Sequence, residues 1–219
     1  MNQLESRSLL FREANPLARP LVCELSFPIL SGRVLEVDHA HGLYGALKGV
    51  CPALQEIPGL GIHTVRGIPG ERPGELTLLE NAEVRLRVPM AALPMLSSLA
   101  GSELKVQGRR ITLGVPRQTC LAPYPTLWAR TVTIHFRDLA HAAAREQLRQ
   151  GFAERYPLAD VRLLRPRTFR IHGQQILGFE MSVRRLDPDA SLRLLTEGYG
   201  GRRAFGCGLF VPFIQRAGS

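Results

Sequence analysis

Apolar residues recur along this chain with two different periods, and the switches between them mark out its elements. Residues up to Pro20 read as a tail or a loose first element. LVCELSFPI (21–29) then reads as a strand interrupted near Pro28. Asp38 offers an N-cap for a helix over 39–50, with Leu43, Leu47 and Val50 on one stripe and Cys51-Pro52 at its end. IHTVRGI (62–68), GELTLL (74–79) and AEVRLRVP (82–89) alternate as strands. Pro89 to Leu99 suits a short helix, and ELKVQGRRITLG (103–114) a hairpin around Gln107-Gly108. After Ala122-Pro123-Tyr124-Pro125, a linker by composition, the same order returns. A strand falls over 126–136, a helix over 139–152 capped by Asp138, and a hairpin over 160–171 and 174–186 turning at His172-Gly173. A helix opening at Pro188 and a last strand over 208–214 complete the pattern.

The repeat is one of element order, not of residues. Two consecutive βαββαβ units predict an α+β chain of tandem ferredoxin-like (RRM-like) domains, 1–121 and 122–219. A single larger α+β sandwich is the alternative.

Charge separates the two halves. The 219-residue chain has a net charge of +9, and nearly all its cations are Arg, which grips phosphate through a planar fork. The first half carries 13 cations against 11 anions, the second 15 against 8, so the second is the candidate polyanion surface. With 45% hydrophobic residues the chain is expected to form a real core, and no apolar run approaches a membrane span. The first residues do not read as a signal peptide, which makes the expected location cytoplasmic and the four cysteines reduced thiols. Their spacing holds no CxxC pair, and neither a metal nor a cofactor is expected.

The densest local motif is GYGGRRAFGCG (198–208). Glycine permits close backbone approach to a ligand, and successive N–H groups with Arg202 and Arg203 can cradle phosphate. A dinucleotide fingerprint would have to follow a strand and open a helix, whereas here a strand follows. A P-loop would need Gly-Lys-Ser/Thr. A plain tight turn into the last strand is the structural alternative.

The Gly-x-Gly pair, five residues, then Gly-x-Gly before the final strand resembles the glycine-rich loop of the CRISPR-associated repeat-RNA endoribonucleases of the RAMP superfamily. GGRRAFGCGLFVP is closest to their MYXAN-type branch, and VDHAHGLYGAL (37–47) and GLGIHTV (59–65) resemble the same branch. The resemblance implies tandem ferredoxin-like domains and metal-independent cleavage of precursor transcripts within CRISPR repeats. It also implies a repeat-RNA partner, stem-loop or unstructured, and leaves open membership of a larger surveillance complex. An RNA-binding subunit without activity, or an unrelated ferredoxin-like protein acting on a small metabolite, are the competing readings.

Cleavage of that kind uses the neighbouring 2′-hydroxyl as nucleophile, with protein groups as base, acid and phosphate-binding cations. Histidine suits the first two roles, and the family keeps one in or just after the first helix. His39, beside Asp38 at the helix start, is the leading candidate, although Leu43 four residues on would also suit a packed histidine. His41 and Lys48 lie about 20° apart on the helix, with Tyr44 about 60° away, a polar stripe that is either a site or a solvated face. His63 could meet the helix start from the next strand. His135, His141 and His172 read as structural or surface residues. For RNA binding the candidates are Arg162, Arg165, Arg167 and Arg170 on the basic strand, together with Gly198, Gly200, Gly201, Arg202, Arg203, Gly206 and Gly208 of the loop.

Overall fold

The structure, a computed structural model, describes residues 21–136, 140–171 and 173–213. The N-terminal tail, the Asp138 cap and the turn residue His172 lie outside the described residues. In the first half β1 (Val22–Ser31) pairs along one edge with β6 (Glu83–Pro89), which pairs in turn with β3 (Gly61–Ile62). Along its other edge β1 pairs first with β9 (Arg117–Cys120) and then with β8 (Arg109–Leu113), the partner of β7 (Glu103–Val106). The order β3-β6-β1-β8 is that of a ferredoxin-like sheet, with α1 (Ala40–Val50) burying Leu43 and Leu47. A small second sheet, β2 (Val34–Glu36), β5 (Glu75–Leu78) and β4 (Gly67–Pro69), is inserted beside it.

The second half repeats the plan. Its sheet runs β11 (Asp160–Ile171), β12 (Gln174–Arg184), β10 (Leu127–Val132), β13 (Val211–Pro212), with α2 (His141–Arg155) and α3 (Pro188–Glu197) on one face. Each half has its own apolar cluster, one built on Phe27, Leu43, Leu86 and Ile111, the other on Leu148, Phe152, Phe179 and Phe210. Among the described residues no helix is long and apolar enough to cross a membrane.

Several local expectations need correction. β1 runs through Pro28 to Ser31 instead of breaking. The carbonyl of Pro28 accepts from Gly114, so the missing N–H faces the gap where β1 exchanges β9 for β8, a place that needs no donor. The helix after Asp38 begins at Ala40, and no side chain caps it; His39 holds the cap position. The segment 62–68 is two short strands, because the backbone leaves the sheet after Ile62 to meet His39. The stretch Met90–Leu99 is a 3₁₀ segment with Pro94 inside, and the last strand shrinks to two residues because Leu209 and Phe210 turn into the core. The all-exposed strand β9 has no apolar alternation to announce it.

Candidate functional site

The glycine-rich segment leaves the C-terminal end of α3 and crosses to the other half of the molecule. Gly200 and Gly208 take positive φ (84° and 67°), and a Cβ on either would sit about 2.2–2.3 Å from a backbone oxygen, so both turns need glycine. The amides of Gly201 and Gly208 donate to the carbonyls of Thr133 and Thr131, and that of Gly206 to Arg203. The expected phosphate cradle of loop N–H groups is therefore not available at these three positions; they fasten the loop to β10 and to itself. Arg203 is likewise a structural cation, donating to the carbonyl of Thr196 at 2.9 Å. Burial pulls its guanidinium down to about 10, which leaves it charged at neutral pH. Arg202, in a left-handed conformation at the tip, is exposed.

What the loop delivers is Phe205. Its ring stacks on His41 (centroids 6.0 Å apart, planes at 27°) and receives Tyr44 edge-on at 5.3 Å. His41 is exposed and Tyr44 half-buried on the face of α1 turned to the loop. Lys48 is exposed two turns further on, about 10 Å along the axis at 1.5 Å per residue. Two of the stripe's three polar residues thus meet the loop from the other half.

The other two histidines are built into the fold. His39 is 2% exposed. Its Nε2 accepts from the Val65 amide at 2.9 Å, so Nδ1 carries the proton and donates to the Glu36 carbonyl at 2.8 Å. Burial, outweighing the Glu36 bond, lowers its pKa and keeps the ring neutral. With both nitrogens engaged, His39 joins the helix start to the segment after β3 and presents neither to a substrate. His63 lies 2.6 Å from Glu24 and is also buried. Burial, reinforced by Arg87 and Arg85, outweighs the nearby carboxylate and lowers its pKa to about 4. Burial alone would raise Glu24, but His63 and Arg87 together hold its carboxyl well below the usual range.

Between the halves lies a cleft of about 280 Å³. Phe205 and Ala40 line it on the α1 side, and Arg130, Arg165, Arg167 and Arg170 line it on the sheet side. His41, next to Ala40 in the chain, is not itself part of the lining but packs on Phe205, which is. Arg162, exposed on the same strand, is not part of this wall. Arg145 donates to the carbonyls of Leu163 and Leu164, beside the bulge that precedes Pro166, and so shapes the strand under Arg165 and Arg167. Sequence reasoning missed Arg130, which the two-residue period of β10 would have revealed: Leu127 and Ala129 face the core, Trp128 and Arg130 the opposite side. Burial, followed by the charges of Arg167 and Arg66, lowers the Arg130 pKa, while Glu180 opposes the shift. Tyr44 also lines a second groove, of about 330 Å³, together with Arg202, Arg203 and Ala204 of the loop.

Two ferredoxin-like units meeting at a basic cleft, with a glycine-rich loop before the last strand, place the molecule in the class of tandem ferredoxin-like proteins with a face suited to a polyanion. A solved structure of a Cas6-related protein from Pyrococcus furiosus matches with a TM-score of 0.63 over 90% of this chain and 99% of that one, at 11% identity. A solved CRISPR-associated Cas6 protein matches at 0.58 over 89% and 99%, at 12% identity. At such identities the likeness speaks for the fold. The family model described as "Cas6 Crispr" covers residues 23–215, and the chain belongs to the Cas6 family. It is 38% identical over 191 residues to the CRISPR-associated endonuclease Cas6 of Myxococcus xanthus, a span of 86% of this chain and 80% of that protein.

Proposed function

We propose that this protein is an endoribonuclease that binds CRISPR repeat RNA and cuts precursor transcripts by attack of a 2′-hydroxyl on the adjacent phosphate, without a metal ion. The observation that carries this reading is the packing of His41 and Tyr44 on Phe205, a residue that also lines a cleft walled by four arginines. RNA lies along β11 with its phosphates on Arg165, Arg167 and Arg170, and continues past Phe205 towards Tyr44 and Arg202. His41 takes the proton of the 2′-hydroxyl as its oxygen bonds to phosphorus. The bond from phosphorus to the 5′-oxygen breaks, and Tyr44 donates to that oxygen. The arginines and Lys48 stabilise the charge gathering on the phosphate. Arg130, crowded by other cations, gains a counter-charge when the polyanion enters.

The test is cleavage of a repeat RNA in EDTA. A 2′,3′-cyclic phosphate product, lost when the nucleotide 5′ to the cut carries a 2′-deoxyribose, is the expected result. Cutting that requires a divalent ion and survives the 2′-deoxy substitution contradicts the mechanism. Tight, salt-sensitive binding with no product would identify an RNA-binding subunit instead.

A further inference from the structure

Arg87, on β6 of the first half, is 1% exposed, and one of its donors reaches into the second half. Nε donates to Glu24 at 2.8 Å, while Nη1 donates to the carbonyls of Leu195 at 2.8 Å and Phe210 at 2.7 Å. Those carbonyls flank the glycine-rich segment. Leu195 lies in the last turn of α3, where carbonyls lack intrahelical partners and the helix dipole favours a cation. Arg203 serves the next carbonyl, Thr196, in the same way. Phe210 is where the chain re-enters the second core. One guanidinium, fixed by a buried carboxylate of the first sheet, therefore grips both stems of the loop that carries Phe205.

We propose that Arg87 is a positioning residue: it ties both stems of the glycine-rich loop to the first half of the molecule and so holds Phe205 against His41. The inference rests on the proposed role of His41. The Phe205 ring lies against the His41 imidazole, and releasing the loop removes that contact and with it part of what orients His41 towards the 2′-hydroxyl.

Two variants separate the grip from the charge. Arg87→Lys keeps a cation, but its single nitrogen cannot replace both Nε beside Glu24 and the Nη1 that reaches the two carbonyls. Glu24→Gln combined with Arg87→Met removes the buried ion pair together. Native-state trypsin digestion reads the loop directly, because Arg202 and Arg203 are cleavage points at its tip. Cutting there, relative to cutting elsewhere in the chain, is expected to be at least tenfold faster in both variants. The single-turnover rate constant on repeat RNA at saturating protein is expected to fall at least tenfold, while Kd for the 2′-deoxy repeat stays within threefold.

Unchanged trypsin cutting in the folded variants overturns the grip. Faster cutting with an unchanged cleavage rate overturns the positioning of His41, and rate and affinity falling together would make Arg87 a purely structural residue. If the wild-type protein cuts no RNA, the functional reading fails, whereas the trypsin comparison still judges the grip. If neither variant folds, Phe205→Leu replaces them, and a cleavage rate equal to wild type overturns the proposal.

Discussion

A histidine whose two ring nitrogens are both bonded to backbone cannot exchange protons with a substrate unless its surroundings open, and that separates His39 from His41. The sequence ranks His39 first because Asp38 precedes it and a helix start attracts phosphate. Nothing in the sequence reveals that Val65, 26 positions away, donates to its Nε2. His39→Leu leaves that amide and the Glu36 carbonyl without their partner. It is expected to cost about 1–3 kcal/mol in urea unfolding, with cleavage per folded molecule little changed. His41→Ala is expected to do the opposite, slowing cleavage by about 10²–10⁴-fold at unchanged stability.

The buried histidines also set a pH dependence. His63 titrates near 4 when folded and near 6.5 when unfolded, so below pH 6.5 the unfolded chain binds the extra proton. Stability is expected to fall as pH drops from 6.5 to 4, and urea midpoints for His63→Gln should vary less over that window. The depressed carboxyl of Glu24 extends the loss to lower pH.

Elements were legible where local chemistry and long-range packing agree. The helix from Pro188 to Glu197 was readable from the proline at its start, and the structure adds the Asp187 cap, accepting from the Ala190 amide at 2.8 Å, and Gly198 at positive φ at its end. Asp187→Ala is expected to cost about 1 kcal/mol, measured by thermal or urea unfolding. The β11–β12 hairpin was readable from its alternation and from Gly173. The illegible pieces obey distant partners. β9 exists only as an edge to β1, and the two-strand break in 62–68 follows a histidine on another element. The cations of β11 carry the prediction at this scale. Arg165→Ala and Arg167→Ala are each expected to weaken repeat binding and to reduce the slope of log K against log salt by about 0.7–0.9. A slope equal to wild type would remove that residue from the RNA path.

At the scale of the whole molecule, the order β-α-β-β-α-β was readable twice, but the place where the halves meet was not. Two separate apolar cores are joined by loop residues, Ala204 and Phe205, that pack against the first half, and by polar contacts. Arg87, an unremarkable position in an alternating strand, makes one of these through two carbonyls of the other half. The glycine-rich loop drew attention for its amides and arginines, yet its amides hold the fold and its phenylalanine reaches the other half. No local pattern distinguishes Phe205 from a core aromatic; only the crossing of the loop does.

The most direct measurement is single-turnover cleavage of a repeat RNA in EDTA by the wild-type protein, His41→Ala and His39→Leu at saturating concentration. The expected result is wild-type cutting, a His41→Ala rate at least a hundredfold lower with unchanged RNA affinity, and near-wild-type cutting by folded His39→Leu. A His41→Ala protein that cuts at the wild-type rate, or a folded His39→Leu that binds but does not cut, would contradict it.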